Sequence, residues 1–185
     1  MHAKAFRRWA ALFPYLLTPL LGTPVAHAEA PAFQKFFGEY VGEAISETGG
    51  ELGKRDIQVK IAPRGNGFVV TWTTVIRKAG GEIRRGDTSV GFQPSDRPNI
   101  YRSAMGVDVF GNAVPLDPLR GDPYVWARID AQTLTVYALL ITDAGGYEIQ
   151  VYERTLKPGG MDLRYSRVRD GRILRTVTGT LKKVR

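Results

Sequence analysis

The sequence contains no cysteine, and its only two histidines, His2 and His27, lie in the first 28 residues. If that segment is removed as a leader, the remaining chain has neither side chain. Disulfides, thiolate nucleophiles, histidine-based triads, imidazole-ligated haem and most zinc sites are then excluded, because each needs a group the chain lacks. Helical periodicity is scarce. No Gly-x-Ser-x-Gly, phosphate-binding loop or dinucleotide fingerprint occurs, and Asp56, Asp87, Asp96 and Asp108 lack calcium-loop spacing. The carboxylate pairs Glu39 with Glu43 and Asp117 with Asp122 fall on a solvent face and in a loop, so no catalytic residue is assigned and no cofactor or metal is expected.

The one long apolar run, Ala10 to Val25, is 16 residues long and carries Pro14, Pro19 and Pro24. It falls short of the roughly 20 residues that span a bilayer. Lys4, Arg7 and Arg8 precede it, and Ala26-His27-Ala28 supplies small residues at a cleavage point, so residues 1–28 read as a secretory signal cut after Ala28. Residues 29–185 are then a single exported domain, periplasmic or secreted and not membrane-spanning. The whole chain carries +8, and loss of the leader's three basic residues leaves +5. Scattered charge of that size gives no nucleic-acid tail.

Short runs rich in Val, Ile, Thr and aromatic residues recur every 8 to 14 residues from Phe37 onward, separated by Gly, Asp, Asn or Pro clusters. The spacing predicts strands near 37–47, 56–62, 68–78, 82–92, 99–105, 124–130, 134–142, 147–156, 161–167 and 172–182. Turns such as Asp170-Gly171 and Ala144-Gly145-Gly146 supply the backbone freedom hairpins need. Sequential hairpins favour an all-β, antiparallel up-and-down barrel of about eight to ten strands, since closure removes the open edges. One helical turn is expected within residues 31–36. Pro94 to Pro123 holds Pro94, Pro98, Pro115, Pro118 and Pro123 and reads as a loop with at most one short strand, either a lid over a cavity mouth or a mobile connection. Leu134 to Ile141 is apolar on both parities, so its outer face should be covered by that loop, by a second copy or by an envelope partner.

In the first strand Gly38, Tyr40, Gly42, Ala44 and Ser46 share one face, and Glu39, Glu43 and Glu47 the other. The acidic face belongs in solvent, which turns Tyr40 inward between glycines. Here the chain resembles the calycin superfamily, the lipocalins and their relatives, whose first strand carries Gly-x-Trp where this chain has Gly38-Glu39-Tyr40. That resemblance implies a ligand-holding barrel and a basic residue of the last strand, Arg175, packed on the aromatic ring. The segment Gly38 to Gly42 is also similar to the opening of nitrobindin-like haem barrels, but the late histidine that ligates iron there is missing.

Arginines are frequent within the expected strands: Arg84, Arg85, Arg102, Arg128, Arg154, Arg164, Arg167 and Arg175. Most should be solvated on outer faces. Arg128 shares parity with Tyr124 and Trp126, whereas Val125, Ala127 and Ile129 form the opposite face. If the aromatic face is interior, Arg128 must meet a fixed anion there; otherwise the trio forms an outer patch. Candidate ligand contacts are Tyr40, Trp72, Arg102, Tyr124, Trp126 and Arg128. The leading reading is an exported barrel binding a small apolar or amphiphilic ligand, an anionic one if Arg128 faces the interior. The alternatives are a solid-cored envelope interaction module and a cofactor-free isomerase or cyclase. A cavity of about 300 Å³ or more separates the first reading from the second.

Overall fold

A computed structural model describes residues 30–77, 80–103, 106–107, 113–114 and 116–185. The leader with its cleavage point, and much of the proline-rich stretch expected to form a lid, lie outside the described residues. Twelve strands follow one 3-10 turn at Gln34–Phe36: β1 Gly38–Thr48, β2 Glu51–Arg64, β3 Gly67–Arg77, β4 Ile83–Pro94, β5 Ile100–Ser103, β6 Gly106–Val107, β7 Ala113–Val114, β8 Tyr124–Asp130, β9 Thr133–Ile141, β10 Tyr147–Lys157, β11 Gly160–Arg169 and β12 Arg172–Lys183. All except β6 and β7, which pair with each other, belong to one closed antiparallel barrel. Its order follows the chain, and β1 closes on β12 with Tyr40 opposite Lys183 and Glu47 opposite Thr176. Each of the ten expected strands is present. The fifth is described as Ile100–Ser103, its last two expected residues lying outside the described ones, and the second begins five residues earlier.

The wall has a distinctive feature at β5. Among the described residues β5 meets β4 from Phe92 to Pro94 and β8 from Trp126 to Arg128. Among the described residues, 83–91 of β4 are therefore paired on one edge alone, against β3.

The interior has two zones. At the end where β1 starts, Tyr40, Phe68, Phe92, Leu134, Met161 and Leu181 are fully buried. The 3-10 turn plugs this end: Phe33 lies 5.2 Å from Phe68 and edge-on to Tyr101 at 5.7 Å. The Tyr40 hydroxyl donates to the Phe36 carbonyl at 2.9 Å. Toward the other end the inward positions become polar, and there the barrel is open.

Closure needs glycine at the seam. A Cβ on Gly42 would sit 2.3 Å from the Thr180 carbonyl oxygen and 3.1 Å from the Leu181 Cα, both backbone atoms that move only if the ladder moves. Gly42→Ala should cost about 2 kcal/mol in urea unfolding, within the range for overpacked sites. An unchanged midpoint would show that the seam relaxes freely.

The outer face of β9 is covered in part by the chain itself. Trp126 stacks on Tyr137 with ring centres 4.9 Å apart and planes 11° from parallel, and the 3-10 turn Pro118–Arg120 lies against β9. The basic partner of Tyr40 is Lys183 rather than Arg175: its Nζ lies 5.7 Å from the ring centre and donates to the Phe37 carbonyl. Arg175 is opposite Arg167, at the other end of the barrel. Among the described residues no helix is long and apolar enough to cross a membrane.

Candidate functional site

The open half of the barrel encloses a cavity of about 390 Å³, lined by inward residues of β2, β3, β10, β11 and β12 and by residues 84–86 of β4. Its walls combine three aromatic rings, Trp72, Tyr152 and Tyr165, with Arg55, Arg84, Arg85, Arg154 and Arg175. No carboxylate is among the described lining residues.

Strand β10 builds one wall. Its period of two turns Glu148, Gln150, Tyr152 and Arg154 inward, as their pairing with Leu140, Ala138, Val136 and Leu134 of β9 requires. Glu148 is almost fully buried and accepts from Arg167 Nη2 at 2.7 Å and Arg169 Nη2 at 2.9 Å. Its other oxygen accepts from Gln150 at 2.8 Å, and Gln150 in turn accepts the Tyr152 hydroxyl at 2.8 Å. The Arg167 hydrogen bond holds the Glu148 carboxyl at a pKa of about 2, against the opposing effect of burial. This chain of bonds fixes the Tyr152 ring, which packs 5.1 Å from Trp72 and 4.7 Å from Tyr165. Burial pushes the Tyr152 phenol well above its usual range, so it stays a neutral donor.

Below Tyr152 on the same strand, Arg154 is 0% exposed. None of its three side-chain nitrogens has a hydrogen-bond partner. The guanidinium carbon lies 5.2 Å from the Trp72 ring centre and 5.7 Å from that of Tyr152, close enough for cation–π attraction to both. Burial lowers its pKa to about 10, which leaves it charged at neutral pH. A buried, unpaired cation of this kind is costly.

Nearer the rim, Arg55 Nη2 donates to Ser46 Oγ at 2.8 Å, and Arg175 Nε donates to Thr48 Oγ1 at 3.1 Å. Both acceptors are neutral hydroxyls of β1, the strand between those carrying the two arginines. Burial first, and then the charge of Arg175, lower the Arg55 pKa. Arg84 and Arg85 differ, being ion-paired with Glu82 at 3.6 Å and Asp87 at 3.0 Å. Among the described residues, Arg55, Arg154 and Arg175 are thus the lining cations without a carboxylate.

The six candidates from sequence separate in space. Trp72 lines the cavity. Tyr40 faces inward but lies in the packed end, bonded to Phe36. Arg102, Tyr124, Trp126 and Arg128 are on the outer face, which corrects the interior reading of that trio: Val125, Ala127 and Ile129 are the buried residues of β8. The interior at that level is already filled by Phe68, Phe92 and Tyr101, which leaves room only for the smaller set. Arg128 pairs with Asp130 at 2.5 Å, half exposed. Arg55, Tyr152, Arg154 and Tyr165 were not selected from sequence. The signal available was parity: with Leu156 turned inward at the packed end, Arg154 and Tyr152 must follow on the same face.

No family model matches the sequence, and no curated protein matches it. Among solved structures the barrel is similar to the S-type phycobiliprotein lyase CPES from Guillardia theta, at 9% identity over 83% of this chain and 90% of that one, with a TM-score of 0.38.

Proposed function

We propose that this barrel binds a small anionic amphiphile in its open half, with the apolar part of the ligand on Trp72, Tyr152 and Tyr165 and the charged group at the arginines. The observation that carries this reading is a lining that, among the described residues, has three carboxylate-free arginines and no acidic residue. Interior arginines are ordinarily offset by carboxylates, and those of this cavity that lack one are available to a ligand's anion. The volume falls within the range of small-molecule sites. An exported chain, matured by loss of residues 1–28, would meet such a ligand outside the cytoplasm. Export is tested by sequencing the N-terminus of secreted material, and a start at Met1 would rule out cleavage.

Dodecanoate and dodecanol have the same tail and differ in charge. In calorimetric titrations dodecanoate should bind about ten- to a hundredfold more tightly, the effect of charge-assisted hydrogen bonds to a guanidinium. The Arg55→Gln, Arg175→Gln double variant should lose most of that difference, and Arg128→Met, altered on the outer face, should keep it. Equal affinity for the two compounds in the wild type, or binding of neither, would refute the reading.

A further inference from the structure

The carboxylate-free arginines occupy two heights. Arg55 and Arg175 flank β1 near the rim and are held by its hydroxyls. Arg154 lies deeper, sealed against Trp72 and Tyr152 with all its side-chain nitrogens unpartnered. On β3, Ile76 faces Arg55, and Trp72 is four residues further toward the packed end, an offset of about 13 Å along the strand. Between the two heights the walls are Ile57, Trp72, Tyr152, Tyr165, Leu163 and Val177. The offset is between backbone levels, and the side chains do not close it, since Arg55 reaches to Ser46 on β1 and Arg154 to the Trp72 ring, so one small anion does not contact both groups.

We infer that the natural ligand carries two anionic groups separated by an apolar or aromatic body, one held by the Arg55 and Arg175 pair at the rim and the other by Arg154 at the floor. This rests on the binding reading proposed above and specifies its ligand class. The rim arginines are partly solvated and have hydroxyl partners, so a singly charged ligand can seat there alone. Arg154 has no such partner. To reach Arg154 the floor anion parts the Trp72 and Tyr152 rings, whose centres are 5.1 Å apart, and it converts unpaired N–H groups into charge-assisted hydrogen bonds, a gain that a monoanion seated at the rim does not collect. The Glu148, Gln150 and Tyr152 chain holds the Tyr152 ring that covers Arg154.

The probes are dodecanedioate, whose extended length matches the interval, and its monomethyl ester, which keeps the length and shape but carries one charge. Titrated by calorimetry into the full chain, the diacid should bind at least about tenfold more tightly than the monoester. Arg154→Met should bring that ratio down to about two, the statistical factor for two equivalent ends. Arg154→Gln is a second variant that retains polar character if the methionine variant does not fold. Equal affinities of the wild type for diacid and monoester would overturn the two-anion inference and leave the single-anion reading standing. Failure of both probes and of dodecanoate to bind would overturn the binding reading itself. A diacid preference that survives in both Arg154 variants would move the second anion away from the floor and also overturn the inference.

Discussion

An Arg154→Met barrel should unfold at higher denaturant than the wild type when no ligand is present. In most proteins, truncating a fully buried residue that touches its neighbours destabilises the fold. Arg154 is different because it combines complete burial with three unpartnered nitrogens. Its compensation is the attraction of the Trp72 and Tyr152 rings, worth about 2 kcal/mol when desolvated. The cost of stripping water from a guanidinium is several kcal/mol. Methionine keeps most of the stem volume, packs on the same rings through its sulfur, and has no charge to desolvate. The expected gain is about 1 to 4 kcal/mol, the range seen when buried ionic groups give way to apolar ones. Urea titrations of the two proteins measure it. A loss of stability instead would mean that Arg154 is a structural element of the apo barrel, with its charge already balanced.

Acid should weaken the wild-type fold through Glu148. Its carboxyl titrates near 2 in the folded barrel and from the ordinary value of 4.5 in the unfolded chain, so between these values the unfolded state binds more protons. Stability is therefore fully present above about pH 5 and is lost as the pH falls through 2. The total is about 3 kcal/mol for this one group, of which about 2 should be gone by pH 3. The discount for solvent is small, because the carboxylate is only 4% exposed. Other carboxylates also contribute, since hydrogen bonds hold Asp87 and Asp162 below their usual range. Glu148→Gln isolates the effect. The variant should be less stable at pH 7, because Arg167 and Arg169 lose their shared carboxylate, and its stability should fall by about 2 kcal/mol less than that of the wild type between pH 7 and pH 3. Parallel pH profiles for the two proteins would remove Glu148 as the cause.

The fold was more legible in the sequence than the site, for a physical reason. Strand positions are written in local chemistry. Asp170-Gly171 makes a tight turn wherever it stands, and both residues have positive φ here. Which face of a strand points inward depends instead on what the rest of the barrel leaves vacant. In β8 both faces are plausible linings, and three aromatic rings from other strands decide in favour of Val125, Ala127 and Ile129. In β10 the pattern misleads further, since Ile149 and Val151 turn outward while Glu148, Gln150, Tyr152 and Arg154 turn in. The polar half of the interior inverts the usual rule, and that inversion is what makes the cavity a candidate site. Tyr40, by contrast, was readable as inward because the glutamates beside it leave one face for the core.

The closing ladder also has a kinetic consequence. All other barrel ladders join strands that follow one another around the sheet in chain order, whereas β1 with β12 brings Tyr40 to Lys183 across nearly the whole described chain. Hairpins can zip up one after another with small loops to close, but this last ladder must pay the largest entropy of closure before any of its bonds form. It should accordingly be the last to form and the first to open. Substitutions at its glycines, Gly42 and Gly179, should then act on the unfolding limb of the chevron and leave the refolding limb nearly in place, so the lifetime of the closed barrel is set at a seam whose two strands meet closely over glycine.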